Sequence, residues 1–410
     1  MSSDDPTRAD VSEDGHDGEH PEIRAPEASP AAAEEVVEEG PLRVPVERLL
    51  ETSRPMPEGE ILGESREGRP IVGYRFGQGE AAISLIGGCH ADEPVGPDLL
   101  RRLVGWLDSQ PESAAVLRHL RWNIVPHVHP DGEERNRSWA QETVAVNDHL
   151  GVKGRGYDLP TYLNQVRRDP PGLDLEWGFP TEADDLPAVF AAGADEEGPL
   201  GPENLAVARF LAEAAPYRLH ISFHSMAFAI GPWFLLDPAW ADRTAPLQEA
   251  LARRSHEMGL SLHDVDRQGE KGFHRIAEGF CTTPNSRAMA AHFIARGDAE
   301  TAALFRPSSM EFVRSLGGDP LTLVSEMPLF LIPEAPEGEP PNDSEAPPLP
   351  SGGTDARLAF FHWAEGFAED PEGLRQRTAD HGWRALALKD QMRLQLELLN
   401  EGLRAVLEST

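Results

Sequence analysis

His90 and Glu93 stand three residues apart in Gly87-Gly-Cys-His-Ala-Asp-Glu-Pro-Val-Gly96. An imidazole and a carboxylate on one tight loop can hold two corners of a tetrahedral Zn²⁺ site. His224 follows 131 residues after Glu93, in Leu219-His-Ile-Ser-Phe-His-Ser-Met226, and Glu326 another 102 residues on, in Thr322-Leu-Val-Ser-Glu-Met-Pro328. Two His and one Glu leave a position of the ion open, the arrangement of catalytic rather than structural zinc. Water there becomes acidic enough to react near neutral pH. A separate carboxylate must then take its proton and pass it to a leaving nitrogen, and Glu326 is the candidate. The expectation is one Zn²⁺ per chain on His90, Glu93 and His224. Each residue also has a plainer reading. His90 could cap the following helix, with Glu93 in its first turn, where acids are favoured. His224 could be a structural histidine on a polar strand face with His220 and Ser222. Glu326 could be the buried partner of an arginine.

The elements that must position these residues are legible as alternating patterns. Ala82–Ile86 is a short apolar run of strand length, ended by Gly87 and Gly88. A helix follows over Val95–Leu107, with Leu99, Leu100, Leu103, Val104 and Leu107 on one face. Ile71–Phe76 and Ala82–Ile86 read as paired strands around Gly77–Gly79. Trp122–Val128 is a third strand, running into the turn signal His129-Pro-Asp-Gly132. Residues 131–200 read as loop-rich. Glu203–Ala214, Leu247–Met258 and Pro284–Ala295 read as helices, and Leu219–Phe223, Pro232–Leu236 and Leu321–Met327 as strands. Strands alternating with helices argue an α/β domain with a buried, largely parallel or mixed sheet. His90, His224 and Glu326 thus fall at strand ends, where open α/β sheets bind ligands.

The 410 residues carry a net charge of −33, of which residues 1–40 contribute −11, leaving −22 on the other 370. The acidity is therefore not confined to a tail, and nucleic acid and anionic membranes are excluded as natural partners. Only Lys153, Lys271 and Lys389 are lysines, against 34 Arg. An acidic, lysine-poor surface would suit a high-salt cytoplasm. Two cysteines make neither a disulfide framework nor a Cys-type zinc site. With no signal-like start and no run of roughly 18 apolar residues, the expected location is cytoplasmic. The expected organisation is a disordered acidic tail over 1–40, a catalytic domain over 41–335, a Pro/Gly-rich linker over 336–353 and C-terminal helices over 354–410. The last of these are read as a helix over Asp355–Phe367 and one long amphipathic helix near Leu374–Leu407.

Taken together, His90-Ala-Asp-Glu93 after Gly-Gly, His129-Pro-Asp-Gly132 after a strand, His224 and the strand-borne Glu326 resemble the zinc carboxypeptidase family over roughly residues 60–335. The resemblance implies a single α/β domain with a central mixed, mostly parallel sheet of about eight strands flanked by helices. It implies zinc on His90, Glu93 and His224, Glu326 as general base, and an arginine after the Pro-Asp-Gly turn that polarises the scissile carbonyl. Arg137 is the preferred residue for that role and Arg135 its neighbour. The family's Asn-Arg pair, which holds a terminal carboxylate, has as its nearest equivalent Asp174-Leu-Glu-Trp177, with neither Asn nor Arg. Arg167 or Arg168, just upstream, could substitute. The four tyrosines, Tyr74, Tyr157, Tyr162 and Tyr217, all precede His224, so the family's downstream substrate-binding Tyr has no candidate. Related deacylases that split N-acyl amino acids, of the desuccinylase/aspartoacylase type, share the Gly-Gly-x-His-x-x-Glu-Pro-x-Gly pattern. The expected substrate is therefore a peptide or an N-acyl amino acid. A third reading is a zinc-binding scaffold of weak activity whose tail and C-terminal helix recruit partners.

Overall fold

The computed structural model describes residues 42–408 apart from 53, 148–152, 170–172, 182–183, 193–199, 335–345 and 351–353. The expected tail at 1–40 and most of the 336–353 linker lie outside the described residues. Twelve strands are described: β1 (Glu60–Glu64), β2 (Pro70–Phe76), β3 (Ala81–Gly87), β4 (Leu120–Val125), β5 (Thr143–Asn147), β6 (Lys153–Tyr157), β7 (Leu219–Ala229), β8 (Trp233–Leu236), β9 (Arg275–Ala277), β10 (Phe280–Thr282), β11 (Leu321–Leu331) and β12 (Arg384–Ala385). Ten form one sheet in the order β1-β2-β4-β3-β7-β11-β8-β10-β9, with β12 added beside β11; β5 and β6 pair separately. The sheet is parallel in its centre, from β4 through β3 and β7 to β11, and mainly antiparallel towards its edges. It exceeds the expected eight strands because short pieces such as β9 and β12 are added beyond the apolar runs.

Burial on both faces explains why β3, β7 and β11 read as nearly continuous apolar runs. Along β3, Ile83 and Leu85 face one core cluster while Ala82 and Ile86 face another. The first cluster is covered by the helices Val95–Asp108 and Leu388–Glu408, the second by Pro202–Ala214 and Ser309–Ser315. The same alternation puts Leu219, Ile221 and Phe223 of β7 in the first cluster. His220, Ser222 and His224 therefore lie on the opposite face. There His220 is 2.7 Å from Ser84 Oγ and 3.1 Å from Ser309 Oγ.

Four expectations are corrected. β2 and β3 are not a hairpin, because β4 lies between them. Gly77 (φ +73°) and Gly79 serve instead to press the chain against residues 117–120, where a Cβ at Gly79 would come within 1.9 Å of the His119 carbonyl carbon. His129-Pro-Asp-Gly132 is not a free turn but opens the helix Pro130–Gln141: Pro130 fits the first turn, and the His129 ring accepts from Gly132 N at 3.4 Å. β7 and β11 do not stop at His224 and Met327; they stay in register as far as Ala229 and Leu331. The long C-terminal helix is two, Pro371–Asp380 and Leu388–Glu408, broken at Gly382 (φ +81°), after which β12 pairs with β11. The second of these helices packs into the core. Its Leu394, Leu398, Leu399 and Leu403 are fully buried, and Gln395 Nε2 donates to Ser325 Oγ at 3.2 Å. The described residues, all of them beyond residue 41, form one compact unit. None of the described helices is long and apolar enough to cross a membrane.

Burial, reinforced by Arg314 and His224, pushes the His220 imidazole down from 6.5 to about 3. The unfolded chain takes this proton near 6.5, so it binds more protons than the fold between about 6.5 and 3, and stability falls as pH drops through that window. Thermal melts from pH 7 to 4 should show a shallower loss of Tm for His220→Gln than for the unaltered chain. A residual slope remains because His127 and His263 are likewise buried and pushed down to about 4. Identical slopes would contradict this account of His220.

Candidate metal centre

β3 ends at Gly87, and Gly88 turns the chain with φ +65° in a place where a Cβ would strike the His127 ring at 2.5 Å. Only glycine satisfies both demands. The turn that follows carries His90 and Glu93 before the helix Val95–Asp108 begins. β3 runs beside β7 in parallel, with Gly87 opposite Phe223. His224 is thus the first β7 residue past the end of its neighbour, so its side chain meets the loop instead of a strand. β11, on the other side of β7, pairs Glu326 with His224.

His90 Nδ1 lies 2.8 Å from Glu93 Oε1, His224 Nδ1 lies 2.9 Å from Glu93 Oε2, and the two Nδ1 atoms are 3.1 Å apart. Behind each imidazole stands a second carboxylate. Asp174 Oδ1 is 3.4 Å from His90 Nε2, and Glu176 Oε2 is 3.3 Å from His224 Nε2, which Ser222 Oγ also meets at 2.7 Å. Both carboxylates sit on one short turn, Asp174 capping the 3₁₀ segment Leu175–Trp177. A carboxylate behind a metal-binding imidazole favours the proton on Nε2 and leaves the Nδ1 lone pair for a cation; for His224 the hydrogen-bond partner of Nε2 is Ser222 Oγ, and Glu176 acts by its charge. Two imidazole nitrogens and a carboxylate oxygen converging in this way are a fit for zinc. A second group, Cys89, Glu176 and His224 Nε2, also converges. Burial, with Glu176 adding to it, pushes the Cys89 thiol well up, against the thiolate a metal needs.

The electrostatics agree. Burial alone would raise Glu93, but the adjoining His90 and His224 outweigh it and hold the carboxyl well below its usual range. Burial would lower His224, yet Glu93 and Glu176 carry it up to about 10. His90 is raised likewise by Glu93 and Asp174. The field at this point favours positive charge. Glu326 behaves in the opposite way: burial lifts it to about 8, with His224 opposing the rise and Glu93 adding to it.

The centre opens into a cavity of about 630 Å³ lined by His90, Glu93, Glu326 and Arg168 among others. Of the four arginines expected at the site, Arg168 alone lines it; its Nε is 2.7 Å from Asp92 Oδ2 and its Nη2 donates to the Tyr162 hydroxyl at 3.1 Å. Arg137 is mostly exposed and pairs with Glu134. Arg135 pairs with Asp169 at 2.6 Å and Glu67 at 3.0 Å. Arg167 donates to the Val166 carbonyl. The reason is the helix at Pro130–Gln141, which carries Arg135 and Arg137 onto its own faces where a turn could have aimed them inward. Sequence reasoning missed Glu176 as a histidine partner, although its Asp-Leu-Glu spacing beside Asp174 carried the signal. It also missed Arg267, Lys271 and Arg357, which line the cavity and stand in no motif.

Residues 50–252 match the family model described as zinc carboxypeptidase. Carboxypeptidase E of Caenorhabditis elegans is 29% identical over 188 residues, which is 40% of this chain and 35% of that one. Carboxypeptidase SOL1 of Arabidopsis thaliana is 29% identical over 128 residues, 26% of each chain. Among solved structures, thrombin activatable fibrinolysis inhibitor is similar at 14% identity and a TM-score of 0.41, covering 89% of this chain and 73% of that one. These matches support a zinc carboxypeptidase-like family for residues 50–252, just under half of the chain. The matches span at most about a third of the two curated relatives' length. The matched residues 50–252 include His90, Glu93 and His224 and end before Glu326.

If Glu176 and Asp174 orient the two histidines, Glu176→Gln and Asp174→Asn should each weaken zinc affinity on the order of 10–100-fold in chelator competition. Asp169→Asn, at a carboxylate that lines the cavity but serves Arg135, should leave the affinity unchanged. Equal affinity in all three would contradict the orienting role.

Proposed function

We propose that this chain is a zinc-dependent hydrolase of the metallocarboxypeptidase type that cleaves a C-terminal peptide bond or a related amide. The observation that supports it most is the convergence of His90 Nδ1, Glu93 and His224 Nδ1 beside Glu326, which the β7–β11 register sets next to His224. A zinc ion held by His90, Glu93 and His224 would acidify water and polarise the substrate carbonyl. Asp174 and Glu176 keep the two imidazoles in the binding tautomer. Glu326 borders the cavity, accepts a proton from the attacking water and delivers it to the leaving nitrogen. Burial raises this carboxyl, and a cation beside it lowers it again, leaving a group that exchanges protons near neutral pH. Arg168, fixed by Asp92 and Tyr162, is the expected arginine that can still meet a substrate, and it takes the carboxylate-binding role considered for Arg167 and Arg168; the carbonyl-polarising role considered for Arg137 and Arg135 passes to neither of them. The reading includes a cytoplasmic location, which the unbridged Cys89 and Cys281 support.

A second reading, an N-acyl amino acid deacylase, uses the same residues. What favours it is Glu176-Trp177, standing where the family's terminal-carboxylate pair would be, with Glu176 turned to His224 instead of the substrate. A panel of peptides and N-acyl amino acids, assayed with and without chelator, separates the two. In either case Glu326→Gln should fold, keep its zinc and lose on the order of a hundredfold or more in kcat. Near-normal turnover, or loss of the metal, would remove Glu326 from the role of base.

A further inference from the structure

His90 and Glu93 reach the metal centre from a loop, and a loop holds ligands only as well as it is itself held. The two residues between them, Ala91 and Asp92, are both tied to the stretch that follows the helix Leu159–Gln165. The Asp92 carboxylate meets Arg168 Nε at 2.7 Å and accepts from the Tyr162 hydroxyl at 3.3 Å. The tie at Ala91 runs through Asn136.

Asn136 is buried in the helix Pro130–Gln141, and its amide uses both ends. Nδ2 donates to the Ala91 carbonyl at 2.9 Å and to the Arg167 carbonyl at 2.8 Å, with the Gly132 carbonyl beside them at 3.0 Å. Oδ1 accepts from Arg167 N at 2.8 Å and from Trp139 Nε1 at 2.7 Å. Three carbonyls on one side and two N–H groups on the other admit only this orientation of the amide. Both backbone groups of Arg167 thus pair with one side chain, which stands in for the edge of a strand.

The helix that carries Asn136 also bears on Ala91 directly. A Cβ at Gly132 would come within 2.6 Å of Ala91 Cβ, so the first turn of the helix lies against the loop. That turn is anchored from behind, where Asp131 accepts from Ser65 Oγ at 2.6 Å and from Arg69 at 2.8 Å. Losing the Asn136 amide would strip buried carbonyls and an N–H of their partners, and each would keep its desolvation penalty.

We infer that Asn136 is a positioning residue that locks the loop of His90 and Glu93 to the segment bearing Arg167 and Arg168. The two metal ligands and the cavity arginine are then set as one unit, and order in either segment is passed to the other. The lock rests on the hydrogen bonds alone; its effect on zinc rests on the metal centre described above.

Amide hydrogen exchange on the full-length, metal-free chain reads the lock itself. In Asn136→Ala, exchange should quicken about tenfold or more in peptides covering residues 88–98 and 162–168 together. The helix Ala245–Glu257 should stay within about threefold of the unaltered chain. Chelator competition reads the consequence: the same variant should lose about tenfold or more in zinc affinity. Leu251→Ala, which opens a cavity in Ala245–Glu257, controls for lost stability; it should lower Tm and leave zinc affinity within about threefold. A comparison that needs no variant is zinc added to the unaltered chain. It should slow exchange over 162–168 as well as over 88–98, although the ligands lie only in the second of these stretches and at His224. Faster exchange in one segment alone, unchanged zinc affinity in Asn136→Ala, or zinc protection confined to 88–98 would overturn the inference. An unaltered chain that binds no zinc refutes the metal centre alone, and exchange on the metal-free chain then decides the lock.

Discussion

The Glu93 carboxylate lies between two imidazoles, 2.8 Å from His90 Nδ1 and 2.9 Å from His224 Nδ1, in a place that is almost closed to water. Stripping a carboxylate of its water costs several kcal/mol unless positive charge replaces it. That charge can be protons on the histidines or a divalent cation between them. Asp174 and Glu176 stand behind the rings and reinforce the same demand. The centre is thus a negative well lined with ligand atoms, and much of the surrounding fold serves to hold those atoms still.

The holding is done by register. β3 stops at Gly87 while β7 and β11 continue side by side to Ala229 and Leu331. The step where β3 gives out admits the loop bearing His90 and Glu93, and the pairing of Glu326 with His224 sets the proposed base beside the proposed ligand. On the far side, Gln395 of the last helix reaches the His224 carbonyl at 3.4 Å and Ser325 Oγ at 3.2 Å. Residues of the last helix therefore help to set the strands that carry His224 and Glu326.

Legibility in the sequence followed the range of the interactions. His90, Glu93, His224 and Glu326 could be picked out because each breaks an apolar run or follows a Gly-Gly turn, which are local signals. The α/β alternation and the central strands were readable for the same reason. What was not readable depended on contacts far along the chain. Nothing near Gly77–Gly79 says that β4 will insert between β2 and β3. The helix at Pro130–Gln141 hid in a turn signal, and with it the fate of Arg135 and Arg137. Arg357 reaches the cavity from beyond residue 350 by tertiary packing alone. Glu176 lies between these extremes: its spacing from Asp174 was visible, but only the position of His224 reveals its partner.

The claim on which the rest depends is the identity of the ligand atoms. Two donor groups share His224, one through Nδ1 with His90 and Glu93, the other through Nε2 with Cys89 and Glu176. X-ray absorption at the zinc edge of the metal-loaded protein separates them directly. The account predicts a first shell of nitrogen and oxygen only, at about 2.0–2.2 Å, with two imidazoles. A sulfur scatterer at about 2.3 Å, or a shell containing a single imidazole, would contradict it.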